Sequence, residues 1–401
     1  TLTTTPLGYS GNYVHCIITS GGCSTTSNAV LLTVSPTTVG GTVTGGTTIC
    51  SGSTSGLLTL SGNTGTVTKW QSSVSPFSTW TDIANTATTY TSGALTATTQ
   101  FRAVVQSGSC VSANSVATTI TVSSSNTWTG TTSSSWFTAT NWSCGSLPTA
   151  ASDVTVPNVS PQPQPIVDGS STIALANTLT VSAGASLIVN SGNTLKVTDK
   201  VTNNSGTITF NDSASLVQIN DVANTGNITY MRASTTNREF DYTYWSSPVV
   251  GQKLLDVSPS TKLDKFFTFN GTDWLQVVDP ANTYMSIGKG YIIRGVPSSI
   301  PPPPGFHVAS FIGEPNNGPQ PMTVLGGEKS NLIGNPYPSA IDADAFILAN
   351  TSAIDGALYF WTHNTPIAIG TPDPGTGVWA YSGNDYATYT CEAYTFEQLP
   401  K

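Results

Sequence analysis

Residues 177–218 read NTLTVSAGASLIVNSGNTLKVTDKVTNNSGTITFNDSASLVQ, and this stretch decides the fold. Short apolar triplets such as Leu187-Ile188-Val189 alternate there with turns rich in Gly, Asn and Ser. A period near 20 made of three-residue strands predicts a β-solenoid, in which each coil buries its apolar residues by stacking on the next. Equivalent apolar positions recur at intervals of 20 or 21 residues: Ile166 to Leu187, Leu187 to Ile208, Leu195 to Leu216, and Ile208 to Ile228.

The turns between the triplets suit the corners of such coils. Ala183-Gly184-Ala185 and Ser191-Gly192-Asn193 supply residues that tolerate positive φ. We therefore expect a short stacked β-coil that acts as a rigid spacer. A β-sandwich of short strands is the alternative that the pattern leaves open.

Composition indicates an extracellular all-β protein. The 401 residues include 13 basic and 21 acidic side chains, a charged fraction of 8%, against about a quarter in average globular proteins. The net charge of −8 opposes nucleic-acid binding, because no Lys/Arg patch is present to neutralise phosphates. No apolar run is long enough to predict a membrane span. The chain opens at Thr1 without Met or a signal peptide, so we expect a mature protein or an excised fragment.

Four segments are predicted: 1–36 as the C-terminal part of an Ig-like domain, 37–125 as a complete Ig-like domain, 126–238 as a capped β-solenoid, and 239–401 as a C-terminal β-rich, sandwich-like domain. The first two rest on a repeat. Residues 13–34 follow the same order of strands and turns as residues 101–122, at an offset of about 87 residues. Such a repeat with alternating apolar residues indicates tandem Ig-like sandwiches, with Trp70 in the core of the complete copy.

The six cysteines favour an oxidising, extracytoplasmic location, and none has zinc-site spacing. Cys50 and Cys110 are a plausible disulfide across the complete domain. Cys16 and Cys23 bridge their own hairpin, or Cys23 pairs with a residue outside this sequence; geometry decides between these alternatives.

Residues 50–122 resemble the Ig-like repeats of large cell-surface proteins of the Bacteroidota. The resemblance rests on Ile49-Cys50-Ser51-Gly52, Lys69-Trp70-Gln71, the strand 99–103, and Gly108-Ser109-Cys110. The order Thr127-Trp128-Thr129-Gly130, Trp136 and Asn141-Trp142 is similar to the start of solenoid modules in the same proteins. We expect these tryptophans to close the first coil; a platform on which sugars stack is the alternative.

The C-terminal segment resembles a β-domain that precedes the sorting domain in proteins exported by the type IX secretion system. The motifs are Tyr244-Trp245-Ser246-Ser247-Pro248, Gly288-Lys289-Gly290-Tyr291, Gly313 with Asn316-Asn317-Gly318, residues 331–342, and Tyr359-Phe360-Trp361-Thr362. The resemblance implies an outer-membrane-associated, extracellular cell-surface protein whose partners are the type IX secretion and attachment machinery. No sorting domain is visible before Lys401, so this route is inferred from the neighbouring motifs.

No catalytic constellation is apparent, and we expect no enzyme. His15, His307 and His363 lie in different segments, and no nucleophile or metalloprotease motif occurs. Asp342 and Asp344, at the start of a predicted helix over 343–348, are capping and dipole partners. Cofactors are not expected. Asp373 and Asp385, with nearby glycines, are candidate calcium ligands, and a solvated turn is the alternative.

Asp212-Ser213-Ala214 resembles the acceptor motif for O-glycosylation in the Bacteroidota, with Ser213 as the modified residue. The main hypothesis is a structural and adhesive segment of a large secreted surface protein, for which the gliding adhesins of flavobacteria are the nearest family. Its binding to extracellular surfaces or polysaccharides would spread over polar faces. The alternatives are the non-catalytic tail of a type IX-secreted hydrolase, and cargo held by the secretion machinery.

Overall fold

The computed structural model describes residues 11–169, 172–234, 240–296, 307–327, 329–362, 368–369, 379–380 and 385–391. The predicted all-β class is confirmed, and it includes a β-solenoid of about three turns. The chain forms two compact units, Thr1–Ser124 and Ser125–Lys401, called unit 1 and unit 2 below.

Unit 1 contains 13 strands among its described residues. They are β1 Tyr13–Val14, β2 Ile17–Ser20, β3 Cys23–Thr26, β4 Val30–Leu31, β5 Thr42–Thr44, β6 Thr48–Cys50, β7 Leu58–Ser61, β8 Thr66–Val74, β9 Thr81–Ile83, β10 Thr89–Tyr90, β11 Thr99–Gln106, β12 Ala113–Asn114 and β13 Thr118–Ser123.

Residues 37–124 build two sheets around one core. One sheet has the order β10-β7-β5 and the other the order β6-β13-β11-β8-β9. Trp70 is fully buried between them, as predicted, and its indole N–H donates to the Ala87 carbonyl at 2.9 Å. The Ig-like assignment stays a prediction, because two sheets around a buried tryptophan occur in many β-sandwiches.

The predicted Cys50–Cys110 disulfide is wrong. Cys110 is a free thiol, whereas Cys50 and Cys144 are the disulfide-bonded cysteines. Cys50 lies opposite Ser123, beyond the Thr99 end of β11, while Cys110 follows its Gln106 end. An eight-residue strand spans roughly 26 Å, far more than a disulfide can bridge.

Cys16 and Cys23 do not bridge their own hairpin either. Both are free and exposed. Cys23 lies opposite Ser20, and Cys16 is hydrogen-bonded to Ser27 at the other end of the same pair of strands. The two thiols are therefore separated by roughly 13 Å of extended strand. The hypothesis that Cys23 pairs with a residue outside this sequence stays a prediction.

Unit 2 contains the remaining described elements. They are β14 Ser125–Thr127, a 3₁₀ turn Ala139–Asn141, β15 Asp153–Val156, β16 Ile166–Val167, β17 Ala174–Ala176, β18 Thr178–Val181, β19 Ser186–Val189, β20 Thr194–Val197, β21 Val201–Asn203, β22 Thr207–Phe210, β23 Ser215–Gln218, β24 Ile228–Ala233, β25 Tyr242–Trp245, α1 Leu254–Val257, β26 Phe266–Phe269, β27 Trp274–Gln276, β28 Tyr291–Arg294, β29 Val308–Gly313, α2 Ala343–Ala349, β30 Ala357–Trp361, β31 Ala368–Ile369, β32 Trp379–Ala380 and β33 Tyr386–Thr390.

The coils stack into three parallel sheets, one on each face of the solenoid. Their orders are β14-β15-β18-β21, β16-β19-β22-β24 and β17-β20-β23. The predicted register is correct where Leu187 pairs with Ile208 and Leu195 with Leu216. It is wrong at Ile166, which pairs with Ile188 rather than Leu187. Because side chains alternate between the two sides of a strand, this one-residue difference turns Ile166 outward and Val167 inward.

Alternation along each strand fills the interior of the coils. In β19, Leu187 and Val189 are fully buried, and so are Leu195 and Val197 in β20. The intervening positions, such as Lys196, are only partly buried. Inside the solenoid, the inward side chains of each coil are covered by those of its other faces and by the coils above and below.

The solenoid and the C-terminal segment share one core. Strand β29 runs antiparallel beside β24 and extends the sheet that the coils began, with Tyr230 opposite Phe311. A single cluster of buried residues continues from Trp128 through the coils to Phe266 and Phe311. Residues 126–238 and 239–401, predicted as separate segments, therefore lie in one compact unit.

The Asn-Gly turn predicted in residues 266–274 is present. Strands β26 and β27 pair with Phe269 opposite Trp274, and the Asn270 side chain accepts hydrogen bonds from the Thr272 and Asp273 backbone N–H groups at 2.9 and 2.7 Å. Gly271 has a φ of 99°, which a residue with a side chain rarely adopts. The predicted helix over 343–348 corresponds to α2.

Leu195→Ala should lower the free energy of unfolding of unit 2 by about 2–5 kcal/mol, because Leu195 is fully buried between Ala174 and Leu216 of the adjacent coils. Its outward neighbour provides the matched control, and Lys196→Ala should change stability by no more than about 0.5 kcal/mol. Urea unfolding followed by tryptophan fluorescence measures both. Equal losses would mean that Leu195 does not face the interior.

Candidate functional site

The tryptophans predicted to cap the solenoid are buried at its first coil. Trp128, Trp136 and Trp142 have relative exposures of 0, 1 and 2%. The ring of Trp142 meets the other two edge-to-face, with centroids 5.1 and 4.7 Å apart. The Trp142 indole donates to the Trp136 carbonyl at 2.8 Å, and the Trp128 indole to the Pro163 carbonyl at 2.9 Å. Their burial removes the sugar-stacking alternative, because a stacking platform needs an exposed ring face.

At the last coil, side-chain amides replace aliphatic residues. The inward column Val154, Leu179, Val201 ends at Asn224, which is 5% exposed. The Asn224 amide donates to the Pro315 carbonyl at 3.0 Å and accepts from the Val201 N–H at 2.9 Å. One amide therefore hydrogen-bonds both the coil beneath it and the loop that follows β29.

Two further amides fasten that loop, residues 315–320, to the rest of unit 2. Asn316 is 5% exposed, and its side chain donates to the Pro336 carbonyl at 2.8 Å. Asn317 donates to the carbonyls of Asn220 and Val222 at 2.7 and 2.9 Å. We call Asn224, Asn316 and Asn317 the amide clamp.

A cleft of about 320 Å³ lies beside the amide clamp. It is a candidate binding site in unit 2. One wall is β23, and the others are the loops around 316–319 and 337–339. The Leu216 N–H donates across the cleft floor to the Pro338 carbonyl at 2.7 Å, and the Tyr337 hydroxyl donates to the Gly318 carbonyl at 2.8 Å.

The lining of the cleft combines apolar and polar groups. Val217 and Ile219 supply apolar surface, while Asp221 and the carbonyl oxygens of the loops supply acceptors. No serine–histidine or cysteine–histidine pair lines it. Among the described residues, no group of three or more His, Cys, Asp or Glu side chains is placed to hold a metal ion. Such a cleft can bind a hydroxylated or extended ligand by hydrogen bonds.

Ser213 lies on an exposed corner between β22 and β23. It has a φ of 63°, and its hydroxyl donates to Asp212 Oδ2 at 2.9 Å. The other carboxylate oxygen, Asp212 Oδ1, accepts from the Ala233 N–H at 2.7 Å. Burial raises the pKa of the Asp212 carboxyl, but the hydrogen bonds from Ala233 and Ser213 and the nearby Arg232 charge outweigh it, so the pKa is lowered overall.

The structure does not bring the other candidate residues together. Asp342 caps α2 by accepting from the Ala345 N–H at 3.0 Å, and Asp344 accepts from the Tyr389 hydroxyl at 3.0 Å, which raises the pKa of Tyr389. His307 Nε2 lies 2.7 Å from the Val257 carbonyl, and His15 is exposed on the first hairpin.

The calcium hypothesis falls largely outside the described residues. Asp373, Gly375 and Gly383 are not among them, nor is His363. Asp385 is described and fully buried, and its backbone carbonyl accepts from the Thr362 N–H at 2.8 Å.

Sequence reasoning did not single out Asn224, although a signal was present. An amide at a position where the preceding coils have Val or Leu marks the end of an apolar column. The sequence places Asn316 and Asn317 in a motif but does not reveal their hydrogen bonds, because their partners lie up to 97 residues away in sequence.

Residues 127–399 match the family described as domain of unknown function DUF8693, which covers more than half of the chain. The chain belongs to this family. Residues 39–124 match a second one, domain of unknown function DUF8696. The DUF8693 match spans both the solenoid and the C-terminal segment, as the shared core does. No curated protein and no solved structure matched the chain. No helix among the described residues has the length and apolar character of a membrane span.

Asn316→Ala should lower the free energy of unfolding of the DUF8693 region by about 1–3 kcal/mol. The substitution leaves the buried carbonyls of Pro336 and Ser247 without their donor. Proteolytic cleavage within 316–342 should therefore become faster. The matched control, Asn227→Ala, removes an exposed side chain and should leave the cleavage rate unchanged. Equal cleavage rates in the two variants would contradict a stabilising role for the Asn316 side chain in the amide clamp.

Asp212 should make the stability of unit 2 depend on pH. Because its folded pKa is lowered, the carboxylate stabilises the fold above the ordinary unfolded value of about 3.9. That contribution is lost as the pH falls through the folded pKa. Asp212→Asn should therefore lose less stability than the wild type between pH 7 and pH 3, measured by urea unfolding. The exposed Asp355→Asn variant is the control, and a wild-type-like loss in Asp212→Asn would contradict this role.

Proposed function

We propose that this chain is a structural and adhesive segment of a large secreted bacterial cell-surface protein, and that it is non-catalytic. The observation that carries the proposal is the continuous core of unit 2, from the tryptophan cap to β29. A single continuous core suits a rigid spacer that holds a surface away from a cell. The low charge of 8% leaves hydroxyl and amide groups as the chemistry of that surface.

The outward faces of the coils supply such groups in order. Thr155, Thr180 and Thr202 lie beside each other on successive strands, and all three are partly exposed. Neighbouring strands are about 4.8 Å apart, so the hydroxyls form a regular row. Polysaccharides present hydroxyl groups repeatedly along their length, and a row binds them through several weak hydrogen bonds at once.

The resemblance to type IX-exported surface proteins supports a location outside the cell and attachment to the outer membrane. The disulfide-bonded state of Cys50 and Cys144 agrees with an oxidising compartment. The exposed corner position of Ser213 leaves room for the O-glycan that the Asp212-Ser213-Ala214 motif implies. Each point supports the proposal independently of the cleft.

The triple variant Thr155→Val, Thr180→Val and Thr202→Val tests the adhesive part. Each lost hydrogen bond is worth about 0.5–1.5 kcal/mol, so retention of the protein on polysaccharide-coated surfaces should fall by roughly tenfold or more. Ile219→Arg, which changes an exposed residue lining the cleft, should leave retention unchanged. Circular dichroism of both variants checks that the fold is intact.

Loss of binding in Ile219→Arg alone would place the ligand in the cleft and contradict binding through the row. No retention of the wild type on any surface polysaccharide would overturn the adhesive function. The alternatives differ in what accompanies this chain, so peptide mapping of the native protein distinguishes them. Further copies of the 37–124 repeat would favour the stalk of an adhesin, and a folded catalytic module would favour the tail of a hydrolase.

A further inference from the structure

The first hairpin of unit 1, residues 13–31, has the same strand pairing as the last hairpin of the complete repeat. In the first hairpin Val14 lies opposite Val30 and Ile17 opposite Thr26. In the complete copy Phe101 lies opposite Thr118 and Val104 opposite Asn114. Between these two paired positions, the first strand of each hairpin advances by three residues and the returning strand by four. The extra residue therefore falls at the same place in both hairpins.

The two hairpins differ in how far they are covered. Strand β11 pairs with β8 along all of its length, from Thr99 to Gln106. Strands β1 and β2 have only their hairpin partners β4 and β3 among the described residues. At equivalent positions Ile17 is 59% exposed and Val104 7%, and Ile18 is 63% exposed and Val105 0%. The first hairpin therefore presents an uncovered apolar surface and an open strand edge.

The complete copy shows what covers this surface. Strand β8 pairs with the edge of β11 opposite to its hairpin partners β12 and β13. Its residues Val67 and Trp70 are buried in the same core as Phe101 and Val105. Residues 37–98, the first half of the repeat, supply β8 and the opposite sheet. In the complete copy this half directly precedes its hairpin in the chain. In a tandem array of such repeats, the corresponding half would likewise precede the first hairpin.

We propose that residues 11–34 are a docking surface for the first half of another copy of this repeat, supplied by the segment that precedes them in the same polypeptide. A β8-like strand pairs with β1 and β2, and its inward residues cover Ile18 and its neighbours. Pairing of this strand with the open edge completes the sheet and removes an aggregation-prone edge. The proposal concerns unit 1 alone, so it can fail while the adhesive function stands, and the reverse also holds.

The test grafts residues 37–98 in front of Gly11, in place of residues 1–10, in the otherwise full chain. Hydrogen–deuterium exchange then compares the peptide over 12–20 with that over 99–106. In the parent chain the first peptide should exchange at least about 100-fold faster, because its strand has one open edge. In the graft the difference should shrink to about tenfold or less.

A matched graft carries Val67→Asp and Trp70→Asp in the inserted half only, which removes its inward apolar residues, and it should exchange like the parent. A second variant, Ile17→Lys with Ile18→Lys, should leave the parent's stability unchanged because both side chains are exposed. In the graft the same pair should abolish protection.

Three results would overturn the proposal. One is slow exchange of 12–20 in the dilute parent, which means that this chain already covers the hairpin. Another is protection in the parent that rises with protein concentration from 0.5 to 50 µM, on the order of the range in which weak dimers form, because a second copy is then the partner. The third is unchanged exchange of 12–20 in a graft whose inserted half is itself protected.

Discussion

The constraint on which unit 2 depends is that a stack of short parallel strands has two open ends. Each coil covers the apolar side chains of the next, so the first and last coils would expose both their interior and a strand edge. At one end, Trp128, Trp136 and Trp142 cover the interior with large rings. At the other end, β29 joins the sheet beside β24. The C-terminal segment is therefore packed as the second cover of the solenoid, and its buried residues belong to the same core.

The two ends are closed by different chemistry. The tryptophans fill space, and the indole N–H groups of Trp142 and Trp128 donate to the backbone carbonyls of Trp136 and Pro163. In the last two coils, Asn203 and Asn224 take positions where earlier coils have Val or Leu. A buried amide without partners costs about 1–3 kcal/mol, so each is tolerated only where its hydrogen bonds are made. A leucine at position 224 would fill the same space but could not bond the Pro315 carbonyl, so the amide fixes where the covering loop sits.

The sequence allowed prediction of features that repeat locally, and it failed where distant segments meet. The 21-residue spacing predicted the register of Leu187 and Leu195, because equivalent turns keep successive coils in step. It failed by one residue at Ile166, where the irregular segment after Pro157 breaks that spacing. The Cys50–Cys110 pairing failed because chain order says nothing about which end of β11 each cysteine occupies. The amide clamp and its cleft could not be predicted, since Asn224 and Pro315 are 91 residues apart.

The motifs that carry the family resemblance have physical roles in the fold. Gly313, Asn316 and Asn317 belong to the strand and loop that cover the last coil. Asn335 accepts from the Tyr337 N–H and orders the loop that bonds Leu216. A Cβ on Gly313 would lie 2.2 Å from the Val250 carbonyl oxygen, so this position requires glycine for close packing. Residues that serve closure would be shared by any protein with this solenoid and cover, whatever it binds. Similarity in these motifs therefore indicates a common architecture, and the ligand must be sought on the outward faces and in the cleft, where the fold leaves side chains free to vary.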